Sequence, residues 1–169
     1  DRPAYIFRTD VLGKFREITH KEFRDQIDQL GTKLIDLGLK DKRIAVIGEN
    51  CYEWGVSYLA VVAGTGVVVP LDKSLPNNEI ESLILRSEVE AIFYTEKYDD
   101  IMKTLKDKGN TNIKFFISMN LEKNENDIYS FKQLIDEGKE LLNNGDKRFL
   151  EAEINPDVMN IMLFTSGTT

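Results

Sequence analysis

Five small or hydroxyl-bearing residues in succession, Thr165-Ser166-Gly167-Thr168-Thr169, follow the apolar run Ile161-Met162-Leu163-Phe164. Hydroxyl side chains with a glycine among them can aim several O–H and backbone N–H donors at one anion, the nest geometry that holds phosphates. The segment lacks the Gly-Lys-Ser/Thr ending of a Walker loop. Composition alone leaves a plain turn as an equal reading. A second glycine-bearing segment, Gly64-Thr65-Gly66, precedes an apolar run and lacks a third glycine. It therefore reads as a helix cap and not as a dinucleotide fingerprint.

Other reactive side chains point to less. Cys51 is the one cysteine and His20 the one histidine of the chain, so Cys51 reads as structural and His20 as a solvated residue of a helix's first turn. Glu79, Glu81, Glu88 and Glu90 read as a solvated face, since no His or Cys accompanies them at ligand spacing. No metal ligand and no catalytic residue is assigned.

The elements that would position the terminal segment are strands and helices in alternation. Residues 4–8 and 15–19 read as two strands joined by a turn at Asp10 to Gly13. Thr19-His20-Lys21-Glu22 fits a capping box. Phe23, Ile27, Leu30, Leu34 and Leu37 then form one apolar stripe of a helix that ends at Gly38. Residues 43–48, 67–71, 91–94 and 113–118 are short apolar runs that suit buried strands. Between them stand helices carrying Trp54, Tyr58, Val61 and Val62, with Asn50 and Glu53 as the cap, then Ile80, Leu83 and Ile84 behind Pro76, then residues 98–108. Residues 120–127 read as a solvated loop. Ser130 to Gln133 offers another capping box for a helix with Phe131, Leu134, Ile135, Leu141 and Leu142, and residues 160–164 read as a last strand. The pattern predicts an α/β fold, a mostly parallel sheet with helices on both faces, preceded by a short β-hairpin. In such sheets ligands bind at the carboxyl ends of the strands, which is where residues 165–169 would lie.

Composition sets outer bounds. The 169 residues are 41% hydrophobic and 30% charged, with 22 basic against 29 acidic side chains and a net charge of −7. An acidic chain of this kind lacks the electrostatic footprint of a nucleic-acid binder, and a lone cysteine favours a reducing cytoplasm. The uncharged stretch 54–71 just reaches the roughly 18 residues a spanning-helix candidate needs. Gly64, Gly66 and Pro70 interrupt it, so no transmembrane segment is expected.

Phe164-Thr165-Ser166-Gly167-Thr168-Thr169 resembles the start of the phosphate-loop signature of the adenylate-forming (AMP-binding) superfamily, which comprises acyl-CoA synthetases, the adenylation domains of peptide synthetases and the luciferases. Ile18-Thr19 before a capped helix, Leu34 to Gly38, and Arg43 to Asn50 followed by Glu53-Trp54 resemble the opening of a long-chain acyl-CoA synthetase. Gly64 to Leu71 and Asn155-Pro156-Asp157 stand where that family has similar segments.

The resemblance implies an ATP-dependent acid–thiol ligase. A carboxylate, on the nearer branch a fatty acid, attacks the α-phosphate of ATP, and coenzyme A then displaces AMP, with Mg²⁺ on the triphosphate. It makes Thr165, Ser166, Gly167, Thr168 and Thr169 the ATP phosphate-binding candidates. It also implies that the chain is a fragment of the large N-terminal AMP-binding domain: residues 1–19 a β-hairpin, residues 20–169 an α/β subdomain ending in the phosphate loop, inactive by itself. A cytoplasmic place is expected, with peripheral contact to a membrane left open. Oligomeric state is unassigned. Other readings are a flavodoxin-like module that binds an anion or nucleotide without chemistry, a purely structural half-domain, and, within the superfamily, an amino-acid-adenylating domain or a luciferase-like enzyme.

Overall fold

The computed structural model describes residues 2–8 and 14–165. The turn expected at residues 10–13 lies outside them. β1 (Pro3–Arg8) and β2 (Phe15–Thr19) pair antiparallel, with Phe7 opposite Arg16 and Arg8 opposite Phe15. Tyr5 of this hairpin packs its ring 5.0 Å from Phe23 and 5.3 Å from Tyr52, centroid to centroid. These aromatic contacts join the hairpin to the two helices that follow.

α1 (His20–Asp36) starts at the expected capping box: Thr19 Oγ1 accepts from the Glu22 N–H, and the Glu22 carboxylate accepts from the Thr19 N–H. Gly38 takes the left-handed conformation, at φ 79°. Then β3 (Arg43–Ile47), α2 (Tyr52–Ala60), β4 (Val67–Pro70), α3 (Asn77–Ser87), β5 (Ala91–Tyr94), α4 (Asp99–Lys108), β6 (Phe115–Ser118), β7 (Ile128–Ser130) and α5 (Phe131–Asn143) complete the unit. One π-turn, Val61–Thr65, continues α2, and one 3₁₀ turn, Glu96–Tyr98, leads into α4.

The five strands β4-β3-β5-β6-β7 form one parallel sheet in that order. Successive side chains point to opposite faces, and both faces are covered. Ile44, Val46, Val68, Phe93 and Ile117 meet α1, α2 and α5. Ala45, Ile47, Val69, Ile92 and Phe116 meet α3 and α4. Central strands buried on both sides must be apolar throughout, which is why these runs were readable. Gly138 lets α5 approach α1 closely: a Cβ there would run into the Gln29 carbonyl. Among the described residues no helix is long and apolar enough to cross a membrane.

Three expectations need correction and one strand was missed. Residues 160–164 do not form a strand. Ile161 makes a single parallel bridge to Val68, with the Val68 N–H donating to the Asn160 carbonyl at 3.0 Å and the Met162 N–H to the Val68 carbonyl at 2.9 Å. The next position of β4 facing this segment is Pro70, which has no N–H to donate, so the ladder stops after one bridge. Asn50 does not cap α2, because the cap position falls one residue later on Cys51, which makes no side-chain capping bond. The box at Ser130 is half formed: Ser130 Oγ accepts from the Gln133 N–H, but Gln133 Oε1 accepts from the Asn124 N–H instead. The strand β7 follows directly on the loop of residues 120–127 and carried no signal of its own.

Candidate functional site at the carboxyl edge of the sheet

The strand order reverses between β3 and β5: the chain passes from β3 outward to β4, then crosses back to β5 on the other side. In open α/β sheets the crevice at such a switch point, outside the carboxyl ends of the strands, is where ligands bind. Here it is a cavity of about 230 Å³ whose lining includes Glu49, Cys51, Thr95, Lys97 and Asn120. Each follows a buried strand or begins the element after it. Gly48 keeps the crevice narrow, since a Cβ on it would stand 2.6 Å from the Thr95 methyl. The Glu49 N–H donates to Thr95 Oγ1 at 3.3 Å, and Asn120 Oδ1 accepts from the Glu96 N–H at 2.9 Å.

Charge concentrates at this edge. The Glu49 carboxylate accepts from Lys73 Nζ at 2.9 Å and from Lys97 Nζ at 3.0 Å. Lys73 and then Lys97 hold its pKa below the usual range, and Glu49 in turn raises that of Lys97. All three side chains are substantially exposed, so the cluster is a solvent-facing pair of cations bridged by one anion. Lys73 is further positioned through its carbonyl, which accepts from the Tyr98 hydroxyl at 3.0 Å. Beside it the Asp72 carboxylate is occupied by the Ser74 N–H and hydroxyl, at 2.8 and 2.7 Å. Cys51 is half-buried with Sγ 3.9 Å from Met119 Sδ, and burial pushes its thiol up to about 11. It is a protonated packing group at neutral pH, not a nucleophile.

Of the five residues singled out from sequence, Thr165 is described and exposed; Ser166, Gly167, Thr168 and Thr169 lie outside the described residues. The segment before Thr165 runs parallel to β4 along its free edge. Met162 and Phe164 pack on the α3–α4 side of the core, and the Arg86 guanidinium lies 5.7 Å over the Phe164 ring. The chain therefore reaches Thr165 travelling toward the carboxyl edge. Glu49, Lys73 and Lys97 were missed from sequence; their signal is a charged residue just past a buried strand. Among the described residues no group of three or more His, Cys, Asp and Glu side chains could hold a metal ion.

The family model described as AMP-binding enzyme matches residues 1–169. Long chain acyl-CoA synthetase 2 of Arabidopsis thaliana is 27% identical over 168 residues, covering 94% of this chain and 24% of that protein. Long chain acyl-CoA synthetase 4 of the same plant is 30% identical over 163 residues, covering 93% and 24%. The fold is shared with the crystal structure of a long-chain-fatty-acid-CoA ligase from Archaeoglobus fulgidus, at a TM-score of 0.73 and 17% identity over 90% of this chain and 28% of that one. The chain spans about a quarter of the length of the curated relatives it matches. With a family match along its whole length and an α/β sheet like that of a solved ligase, this chain belongs to the AMP-binding enzymes.

Proposed function

We propose that the chain is one α/β subdomain of the large N-terminal domain of an AMP-forming acid–CoA ligase, with residues 165–169 contributing to its phosphate loop. The observation that carries this reading is the parallel docking of residues 160–162 on β4, which supports a phosphate-loop start at the carboxyl edge of the sheet. In the first step a carboxylate would attack the α-phosphate of ATP and release pyrophosphate. In the second, the coenzyme A thiol would displace AMP. The first step sets anion against anion, so the protein's part is positioning and charge neutralisation. The Thr165 hydroxyl, with those of Ser166, Thr168 and Thr169, would donate to phosphate oxygens. One oriented donor in a dry site is worth roughly 2.7–4 kcal/mol. Lys73 and Lys97 add positive potential along the same edge. Mg²⁺ would travel with the triphosphate; the described residues offer it no ligand set, and no step is assigned to it.

The names of the curated relatives favour a long-chain fatty acid as the acid. The unpaired Cys51 suits a reducing compartment, and we place the enzyme in the cytoplasm. The strand order 2-1-3-4-5 of the sheet is also that of flavodoxin-like folds, so the binding-module reading shares this topology; family membership favours the ligase. The test is acid-dependent ATP–pyrophosphate exchange by the full-length enzyme with fatty, aromatic and amino acids. Exchange with long-chain fatty acids is expected, and the 169-residue chain by itself is expected to give none. Exchange with amino acids alone, or with no acid, would overturn the reading.

A further inference from the structure

A second cavity, sharing no lining residue with the crevice, opens between α4 and the connection from β6 to β7. Its volume is about 460 Å³, within the ordinary range for small-molecule sites. The floor is apolar: Met102, Phe116, Leu121 and Ile128 line it. Tyr94 also lines it, is fully buried, and its hydroxyl has no hydrogen-bond partner. Burial and then the Asp99 carboxylate raise the pKa of that hydroxyl well above the usual range, which places the Asp99 charge near it. Buried polar groups are rarely left orphaned, so this one calls for an explanation.

The rim explains what would satisfy it. Asp99, Asp100, Asp107 and Glu125 line the cavity against Lys103 and Lys106. Lys106 is already engaged, donating to the Asn126 carbonyl at 2.5 Å and facing Asp127 at 3.5 Å. Burial, then the Glu96 and Asp100 carboxylates, raises the pKa of Asp99. The wall is also built and not merely solvated. Ser130 Oγ donates to the Leu121 carbonyl, Asn124 Oδ1 accepts from the Ser130 N–H, and Glu125 and Ile128 exchange backbone bonds at 3.0 and 2.8 Å.

We propose that this cavity binds a small amphipathic amine. Its ammonium would donate to the Tyr94 hydroxyl and the Asp99 carboxylate, and its apolar body would lie on Met102, Phe116 and Ile128. The site stands apart from the proposed adenylation chemistry and does not depend on it.

Three probes with the same phenyl body and different heads decide the matter on the full chain by calorimetric titration: phenethylamine, 2-phenylethanol and phenylacetate. Phenethylamine is expected to bind about tenfold or more tightly than either. Tyr94→Phe and Asp99→Asn are each expected to weaken it about tenfold, while Tyr94→Phe leaves the melting temperature unchanged or higher, because it removes an orphaned polar group. Amide chemical-shift changes are expected at Tyr94, Asp99 and Phe116. Equal binding of all three probes, no saturable binding of any, no effect of either variant, or shifts confined to Thr95–Lys97 would each overturn the proposal. If a variant fails to fold, the probe series and the shift map still decide it.

Discussion

Glu49 is held by two ammonium groups at once, and nothing about its packing requires it to be there. A carboxylate that bridges two exposed lysines competes with any other anion for the same two cations. Replacing it by an amide keeps the shape and removes the competitor. Glu49→Gln is therefore expected to tighten inorganic pyrophosphate binding to the full chain, and Lys97→Ala to weaken it, with both effects shrinking between low and physiological salt. Titration calorimetry at two ionic strengths checks this; equal affinity for the two variants would sink the idea. The unfolding midpoint should hardly move for either, since exposed pairs contribute little. Thr19 is a different kind of residue, with no role at the crevice and a complete capping box. Thr19→Ala is expected to cost about 1 kcal/mol in urea unfolding, leaving pyrophosphate binding unchanged.

Elements were legible where the physics that forms them is local. The stripe of Leu30 and Leu34 in α1, and the double-sided burial of Ala45-Val46-Ile47 in β3, are each written within a few neighbouring residues. β7 was not legible, because Ile128-Tyr129-Ser130 pairs with the distant Phe116, Ile117 and Ser118 and is held by Leu121 and Asn124. Residues 160–164 show the reverse: the alternation is present, with Met162 and Phe164 inward and Ile161 and Leu163 exposed, yet Pro70 offers β4 no N–H to carry the pairing past one bridge. The same division runs through the candidate site. Thr165 is marked by its chemistry, whereas Glu49, Lys73 and Lys97 come together only because of the strand order, which no local pattern records. The α1–α5 contact is equally non-local, and it yields a prediction at this scale. Gly138→Ala would drive a methyl into the Gln29 carbonyl, and backbone cannot rotate aside. A loss of about 1–3 kcal/mol is expected, read as a lower urea midpoint with the α/β circular-dichroism signature retained; an unchanged midpoint would show that α5 can simply shift.

At the scale of the whole molecule, carboxylates decide how stability responds to acid. Glu22, Glu49, Asp72, Glu90 and Asp146 have pKa values lowered chiefly by the Thr19 N–H, Lys73, the Ser74 N–H, Lys114 and Arg148 respectively. A group whose folded pKa lies below its unfolded value stabilises fully above the unfolded value and loses that contribution as pH falls through the folded one. For these five the loss begins near the ordinary carboxylate range, about pH 4.5 for Glu and 3.8 for Asp. Asp28 and Asp99 run the other way: burial raises both, so they are charged at a cost near neutrality, and protonation relieves it as pH falls through their folded values. The five outnumber the two, but Glu22, Glu49 and Asp72 are exposed and screened and only Glu90 and Asp146 are partly buried, so the net decline should be shallow at first. The urea midpoint is expected to stay flat from about pH 8 to 5 and to fall below about pH 4.5, less steeply at high salt. Asp28→Asn separates the opposing contributions. Its Arg24 partner stands 3.8 Å away, a weak pairing, so removing the desolvated charge should raise the midpoint near pH 7. That gain should shrink toward zero as pH drops through the raised pKa of Asp28, where wild type is already neutral; a gain that is constant with pH would show that burial of the charge is not what Asp28 contributes.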